Sequence, residues 1–458
     1  MKEKILFLIF LSILVGFLSY NLFSFSLQQS LILSIFSLSI LGTLFFWEFR
    51  VGFVFIGSGI MLILHMTDLE HFVKYASLDV IWFLVGMMII LAMLKEAGVF
   101  YYITTKILCL KNLNGIKVFV SLLVISYVLS GLMDEVTSIM FVSTIIFSLC
   151  NFLEVSPIPL LLSCIITTNI GSATTVLGNP IGVLIALRGK LSFEDFIFNS
   201  MPVTLICLVT TVVILSWFYR KYIKEISEKL KPHLENTFFM CLISTPMNKK
   251  ARISSIIFLI TVILIAFHRR IEVFLNLEEN TILIILPIIV AGLVLIINKE
   301  QSKKYIEKEV EWNSLLFFLF LFAQAGVIQS SGIAEKIAQK ILSISNNKNF
   351  LSFWLLFSSG LLSSVLDNVV VVASYIPIVN SLKKLIINNS SFWWIILWGG
   401  CFGGNITMIG STANIIALGL LEKNYNIKIN FFQWLKIGFP VGILTMVISF
   451  IFSIIFLR

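Results

Sequence analysis

Residues 167–182 read Thr-Thr-Asn-Ile-Gly-Ser-Ala-Thr-Thr-Val-Leu-Gly-Asn-Pro-Ile-Gly, and residues 399–414 read Gly-Gly-Cys-Phe-Gly-Gly-Asn-Ile-Thr-Met-Ile-Gly-Ser-Thr-Ala-Asn. Neither stretch suits an unbroken helix. Gly171, Gly178, Pro180 and Gly182 in the first, and Gly403, Gly404 and Gly410 in the second, interrupt the hydrogen-bond ladder. Both stretches sit inside long apolar runs, where bare backbone is tolerated only if it is buried in protein or lines a cavity. The freed amides and carbonyls are therefore expected to become ligands. A half-helix N-terminus gathers N–H groups and partial positive charge, whereas carbonyls released at a half-helix C-terminus suit a cation. Around the breaks stand Asn169, Thr174, Thr175 and Asn179 in one stretch, and Asn405, Thr407, Ser411, Thr412 and Asn414 in the other. Packing through small residues explains Gly, Ser and Thr; it does not explain Asn beside Pro.

The surroundings are apolar throughout. Of 458 residues, 58% are hydrophobic and 12% charged, with 42 phenylalanines and a mean hydropathy of +1.01. A soluble protein carries about 25% charged residues, so the solvent here is lipid and the fold class is an all-α polytopic membrane protein. The six cysteines, Cys109, Cys150, Cys164, Cys207, Cys241 and Cys401, form no CxxC pair and read as small core or lipid-facing residues. His65, His71, His233 and His268 sit near span ends or in a loop, so no metal cofactor is expected. The formal charge of +9 comes without a basic stretch interleaved with aromatics. Nucleic acid is thus not an expected partner. The expected partners are the bilayer and a small ion, and a homodimer is left open.

Spans are expected near 5–25, 28–47, 51–66, 79–97, 158–187 and 200–219, then near 252–267, 281–297, 312–330, 392–420 and 438–457. The first run is too long for a signal peptide and lacks a small-residue cleavage site, so it reads as a retained helix. Two further apolar segments, 118–152 and 350–382, carry carboxylates at their centres: Asp134 and Glu135 in one, Asp367 in the other. Each reads as a re-entrant hairpin or a pair of crossings, and either choice leaves the orientation of the eleven spans unchanged. With the N-terminus in the cytoplasm, 22 of the 33 Lys and Arg fall inside, as the positive-inside rule expects. The basic segment 220–251 then reads as a solvated cytoplasmic linker. Glu48, Arg50, Lys95 and Glu96 read as interfacial anchors, and Trp393, Trp394 and Trp398 as belt aromatics.

An offset near 233 superposes the second half on the first. Lys95–Gly98 fall over Gln329–Gly332, and Ile107–Leu108 over Ile341–Leu342. Asp134, Glu135 and Val136 fall over Asp367, Asn368 and Val369, and Thr175 and Gly178 over Thr407 and Gly410. Five full crossings per copy is an odd number, so the copies are expected to lie upside down relative to each other, with a shared site near mid-membrane. The expected division is an extra N-terminal helix (1–27), a first repeat (28–219), the linker (220–251) and a second repeat (252–458). A carboxylate at the bilayer centre costs about 2.5–3.5 kcal/mol even on the lenient insertion scale. Asp134, Glu135 and Asp367 are therefore expected to face a hydrated cavity.

Gly403 to Asn414 lie close to the pattern GGNxTxIGxSAN, Asp367-Asn368-Val369 form an Asp-Asn-Val tip, and Asp134-Glu135-Val136-Thr137 are its first-half counterpart. On these motifs the chain resembles the superfamily of arsenite permeases, NhaD-type sodium–proton antiporters and citrate-transporter-like proteins, from about residue 45 onward. The resemblance implies a scaffold domain and a mobile domain of two hairpins and two broken helices, working by an elevator-like stroke coupled to Na+ or H+. It implies ion and substrate positions at 134–137, 367–369, 174–182 and 404–414, including Thr137 and Asn368. Two departures stand out: Glu135 replaces the usual Asn, and Gly178-Asn179-Pro180-Ile181-Gly182 replaces Gly-Asp-Pro-Pro-Asn. The expected function is a secondary active transporter of the plasma or inner membrane. Cation/proton antiport is preferred, on the acidic tips; the alternative is a carrier of arsenite, antimonite or a carboxylate such as citrate. No enzyme is expected, since no membrane-centre histidine is available for a protease. There is no Walker motif and no cofactor beyond the coupling ion.

Overall fold

The computed structural model describes residues 2–99, 102–103, 114–233, 247–385 and 391–457. Cys109, Cys241 and the Ile107–Leu108 match lie outside the described residues. Among those described, every regular element is helical. The first half contains α1 (Lys2–Phe23), α2 (Leu27–Phe45), α3 (Arg50–Ile63), α4 (Leu78–Glu96), α5 (Gly115–Leu132), α6 (Glu135–Leu153), α7 (Ile158–Gly171), α8 (Pro180–Gly189) and α9 (Met201–Phe218). After α10 (Arg220–Leu230) come α11 (Lys249–Ala266), α12 (Thr281–Ile297), α13 (Trp312–Ser330), α14 (Lys348–Ser363), α15 (Asn368–Leu385), α16 (Ser391–Gly403), α17 (Thr412–Tyr425) and α18 (Phe431–Phe456).

Eight helices among the described residues are long and apolar enough to cross a bilayer, and nine if α11 and the bent helix after it count as one span. The chain is thus a multi-pass membrane protein. Several expected spans are shorter than a full crossing. α3 has 14 residues, and the spans at 158–187 and 392–420 each divide into two helices, α7 with α8 and α16 with α17. The physical reason is the glycine, proline and asparagine chemistry quoted above. α5–α6 and α14–α15 form the two hairpins.

Paired contacts recur through the chain at the expected offset. The Ser130 hydroxyl donates to the Thr168 carbonyl at 2.7 Å, and the Ser363 hydroxyl donates to that of Gly400 at 2.6 Å. The Thr175 hydroxyl donates to the Gly131 carbonyl, and the Thr407 hydroxyl to that of Ser364. α4 and α13 each end at a left-handed glycine, Gly98 with φ 75° and Gly332 with φ 76°. Interhelical hydrogen bonds in membranes average about 0.6 kcal/mol. Ser130→Ala and Ser363→Ala are therefore expected to lower stability by roughly that amount each, equally, in detergent thermal-unfolding measurements.

Three sequence readings need correction. Trp393, Trp394 and Trp398 are not belt residues: every residue of α16 is buried, because α14, α15 and α18 pack around it. The Trp398 indole donates to Ser200 at 2.9 Å, and Trp394 meets Phe196 edge-on. Arg50 is not a snorkelling anchor. It is 9% exposed, lies 4.3 Å over the Trp47 ring, and donates to Ser314 of α13 at 2.8 Å. The basic segment is not wholly a solvated linker either. α10 buries Tyr222, Ile223, Ile226 and Leu230, and its Ser227 hydroxyl accepts from the Gly115 amide at the start of the first hairpin. All three are facts of packing: which neighbour covers a given face is not encoded in local composition.

Candidate functional site

Each hairpin turns over at a carboxylate. Met133 and Asp134 are extended, and Asp134 caps α6: one oxygen accepts from the Thr137 amide at 2.8 Å and the other from the Thr137 hydroxyl at 2.5 Å. At the second tip, Asp367 accepts from the Val369 amide at 3.0 Å and from the Thr412 hydroxyl at 2.5 Å. The second tip is thus tied to the start of α17, beyond the second break.

The two halves cross over at these tips. The half-helix α8 packs on α15 of the second hairpin, and α17 packs on α6 of the first. Glu135, 3% exposed, accepts at Oε1 from the Asn368 amide group at 3.0 Å and from the Ser411 hydroxyl at 3.3 Å. Its Oε2 is buried with no hydrogen-bond partner. Among the described residues no Lys or Arg forms an ion pair with Asp134, Glu135 or Asp367.

A second node joins the two breaks. The Asn169 amide group donates to Asn405 Oδ1 at 2.8 Å and to Asn414 Oδ1 at 2.9 Å. Asn414 spends its own NH2 on the Gly404 and Thr407 carbonyls, which fixes its oxygen as the acceptor facing Asn169. Asn169 Oδ1 is then a buried oxygen without a partner. A buried acceptor left unpaired costs about 1–3 kcal/mol. Two such acceptors, one of them a carboxylate oxygen, lie on α6 and α7 of the first half, each on a side chain that hydrogen-bonds residues of the second half.

The half-helix ends are partly occupied. Asn179 Oδ1 accepts from the Gly182 amide at 2.6 Å, and Ser411 Oγ accepts from the Ala413 amide at 3.2 Å. Freed carbonyls are also taken up: that of Ala173 by Ser200, those of Gly404 and Thr407 by Asn414, and that of Asn405 by the Trp434 indole. The expectation that released backbone would serve as ligand gives way here to side chains that satisfy it within the protein. Thr174 stands apart from the centre, its hydroxyl bonded to Thr204 of α9 at 3.1 Å. Thr175 and Thr407 hold the hairpin turns against the breaks.

Two residues outside the sequence-derived set take part. Ser172 accepts from Asn179 at 3.0 Å, and Cys401, read from sequence as a plain core residue, contacts the same amide at 3.1 Å. Cys401 stands 232 positions after Asn169, so the repeat offset carried the signal that would have found it.

Helical hairpins and interrupted helices enclosing buried polar side chains inside a multi-pass protein define a membrane transporter. The chain belongs to the citrate transporter family, CitMHS, whose profile matches residues 43–399 and, in a second segment, 320–458. It is 26% identical over 384 residues to an uncharacterized transporter of Mycobacterium tuberculosis, covering 82% of this chain and 85% of that one. It is 24% identical over 425 residues to an uncharacterized transporter of Synechocystis, covering 87% and 91%. It is 25% identical over 457 residues to the P protein of Homo sapiens, covering 85% of this chain and 54% of that protein.

Proposed function

We propose that this chain is a secondary active ion transporter driven by a Na+ or H+ gradient, with cation/proton antiport as its mode. The carrying observation is Glu135: a buried carboxylate on the first hairpin with one free oxygen, no basic partner among the described residues, and hydrogen bonds to the second hairpin tip and the second break. A carboxylate so placed is satisfied by a proton or a small cation. In the proposed cycle Asp134, Glu135 and Asp367 trade the two as the hairpins and half-helices move against the remaining helices.

Cross-element ion pairs support the grouping of loops by face that the expected topology requires, and the positive-inside bias is what puts the N-terminus in the cytoplasm. Lys95–Glu309, Lys250–Glu96 and Lys229–Glu154 each join residues that this topology assigns to the cytoplasmic face. Arg270–Glu194, Lys190–Glu279 and Arg188–Asp79 each join residues that it assigns to the opposite face. The base of the first hairpin then faces the cytoplasm, whereas Lys348 at the base of the second bonds the Leu457 carbonyl on the other side. That is the inverted arrangement an alternating-access carrier needs.

A second reading, a carrier of citrate or another small anion, is favoured by the family's description and by the N-termini of α8 and α17. Against it, Asn179 and Ser411 already cap those ends. The test is flux into proteoliposomes under imposed Na+ and pH gradients, with a luminal pH dye and labelled citrate followed in parallel. Antiport predicts Na+-driven proton movement that falls in Asp134→Asn and Asp367→Asn. Citrate uptake without such proton movement would establish the anion reading instead.

A further inference from the structure

A cavity of about 270 Å³ lies between two groups of helices. One wall carries Lys95 at the end of α4 and Glu309 and Glu311 just before α13; the other carries Thr137 and Thr144 of α6 and Leu420 of α17. Its outer end is spanned by the Lys95–Glu309 ion pair, 2.6 Å long, with Lys95 about half exposed. Its inner end reaches Thr137, whose hydroxyl and amide both hold Asp134. Glu311 sits between. One of its oxygens accepts from Ser314 at 3.0 Å, Ser314 accepts from the buried Arg50, and the carboxylate lines the cavity close enough to Asp134 for the two to repel.

We infer that this cavity is the aqueous passage by which a small monovalent cation reaches the first hairpin tip from the Lys95 face, with Glu311 as its selecting carboxylate and the Lys95–Glu309 pair as its outer gate. Three features support this role. The two walls belong to helix groups that the proposed cycle moves against each other, so the passage changes width with the stroke. The Arg50–Ser314–Glu311 chain fixes one carboxylate oxygen and leaves the group aimed into the cavity, as a selecting residue requires. With Lys95 paired to Glu309, the net charge lining the passage is that of Glu311, and a narrow, low-dielectric passage of one net sign concentrates counter-ions and repels co-ions. The Lys95 ammonium, paired with Glu309, contributes net positive charge at the mouth only when that pair parts.

The inference rests on the transport reading, and its test does not require transport. In a background with the six native cysteines replaced, Met140→Cys reports from the α6 wall and Leu420→Cys from the α17 wall. Each is labelled in right-side-out and inside-out vesicles with a cationic or an anionic methanethiosulfonate reagent, with rates normalised to free cysteine. Retained monodisperse elution certifies the fold of each variant. Labelling is expected from the Lys95 face, with a preference for the cationic reagent of about tenfold, within the range that electrostatic focusing supplies. Glu311→Gln is expected to bring that preference close to parity, and Glu309→Gln, which frees the gate but leaves Lys95 unpaired at the mouth, to speed the anionic reagent more than the cationic one. Equal rates for the two reagents, a preference unchanged by Glu311→Gln, or labelling only from the opposite face would overturn the passage. Absence of gradient-coupled flux in the protein with its native cysteines, alongside the expected labelling in the variants, would overturn the transport reading and leave the passage standing.

Discussion

Glu135→Gln is expected to abolish gradient-coupled flux while leaving the protein folded. Glutamine keeps the volume of the side chain and an oxygen that accepts from Asn368 and Ser411, so both bonds across the tips survive. What disappears is the charge, and with it the reason for a cation or proton to occupy the space beside Oε2. Hydrogen bonds to charged groups are worth about 1.5–3 kcal/mol against about 1 for neutral ones. Each 1.4 kcal/mol is a factor of ten in affinity, so the difference of about 0.5–2 kcal/mol should weaken binding of the coupling ion roughly two- to thirtyfold. Glu135→Asp separates charge from reach: it restores ionisation but withdraws the carboxylate by one methylene, and partial flux with a raised half-saturation for Na+ is the expected outcome. A Gln variant that transports at the native rate under both gradients would remove Glu135 from the mechanism.

The parts of this site that were legible in the sequence are those where a residue contradicts its surroundings. Asp134, Glu135 and Asp367 in apolar runs, and Asn179-Pro180 inside a span, cannot belong to plain lipid-facing rods, and the structure finds helix ends at each. The offset near 233 carried further, since it aligned Thr175 with Thr407 and both hydroxyls hold a hairpin turn. What remained hidden concerns side chains whose type fits two environments equally well. A tryptophan near a span end suits a lipid headgroup or a helix core, and Trp393, Trp394 and Trp398 took the core because α16 is surrounded. Arginine snorkels readily, yet Arg50 turns inward to two aromatic rings and Ser314. Cys401 shows the same limit within the site: nothing local sets it apart from Cys164 or Cys207; its place opposite Asn169 in the repeat and its contact with Asn179 do.

Gly171→Ala and Gly403→Ala are expected to be among the most destabilising single-methyl additions in the chain, and to be so equally. A Cβ built on Gly171 would lie 2.3 Å from the Tyr127 carbonyl oxygen, and one on Gly403 would lie 2.2 Å from that of Gly360. Both obstacles are backbone on the first arm of a hairpin, α5 in one case and α14 in the other, so no side-chain rotation relieves them. The hairpin and the broken helix must move apart, which strains the bonds that Ser130 and Ser363 make across the same seams. Overpacking of this kind costs about 1–3 kcal/mol, occasionally more, and a rigid carbonyl places these two at the upper end. Gly52, Gly59 and Gly419 are the controls, because a methyl there meets nothing within 4 Å. A helical Gly→Ala change without a clash gains about 0.5–1 kcal/mol, so these three should be neutral to slightly stabilising. Thermal unfolding of the purified protein in detergent, read by fluorescence-detected size exclusion, separates the two groups. The functional consequence follows from where the seams lead: Gly171 and Gly403 are the last residues of α7 and α16, immediately before the breaks that carry Asn179 and Asn405. A seam opened by one methyl displaces Asn169 from Asn405 and Asn414, so whichever fraction of Gly171→Ala still folds should lose ion affinity as well as stability. If Gly171→Ala and Gly403→Ala unfolded at the native temperature, the close approach of hairpin and broken helix would not be what holds the two nodes in place.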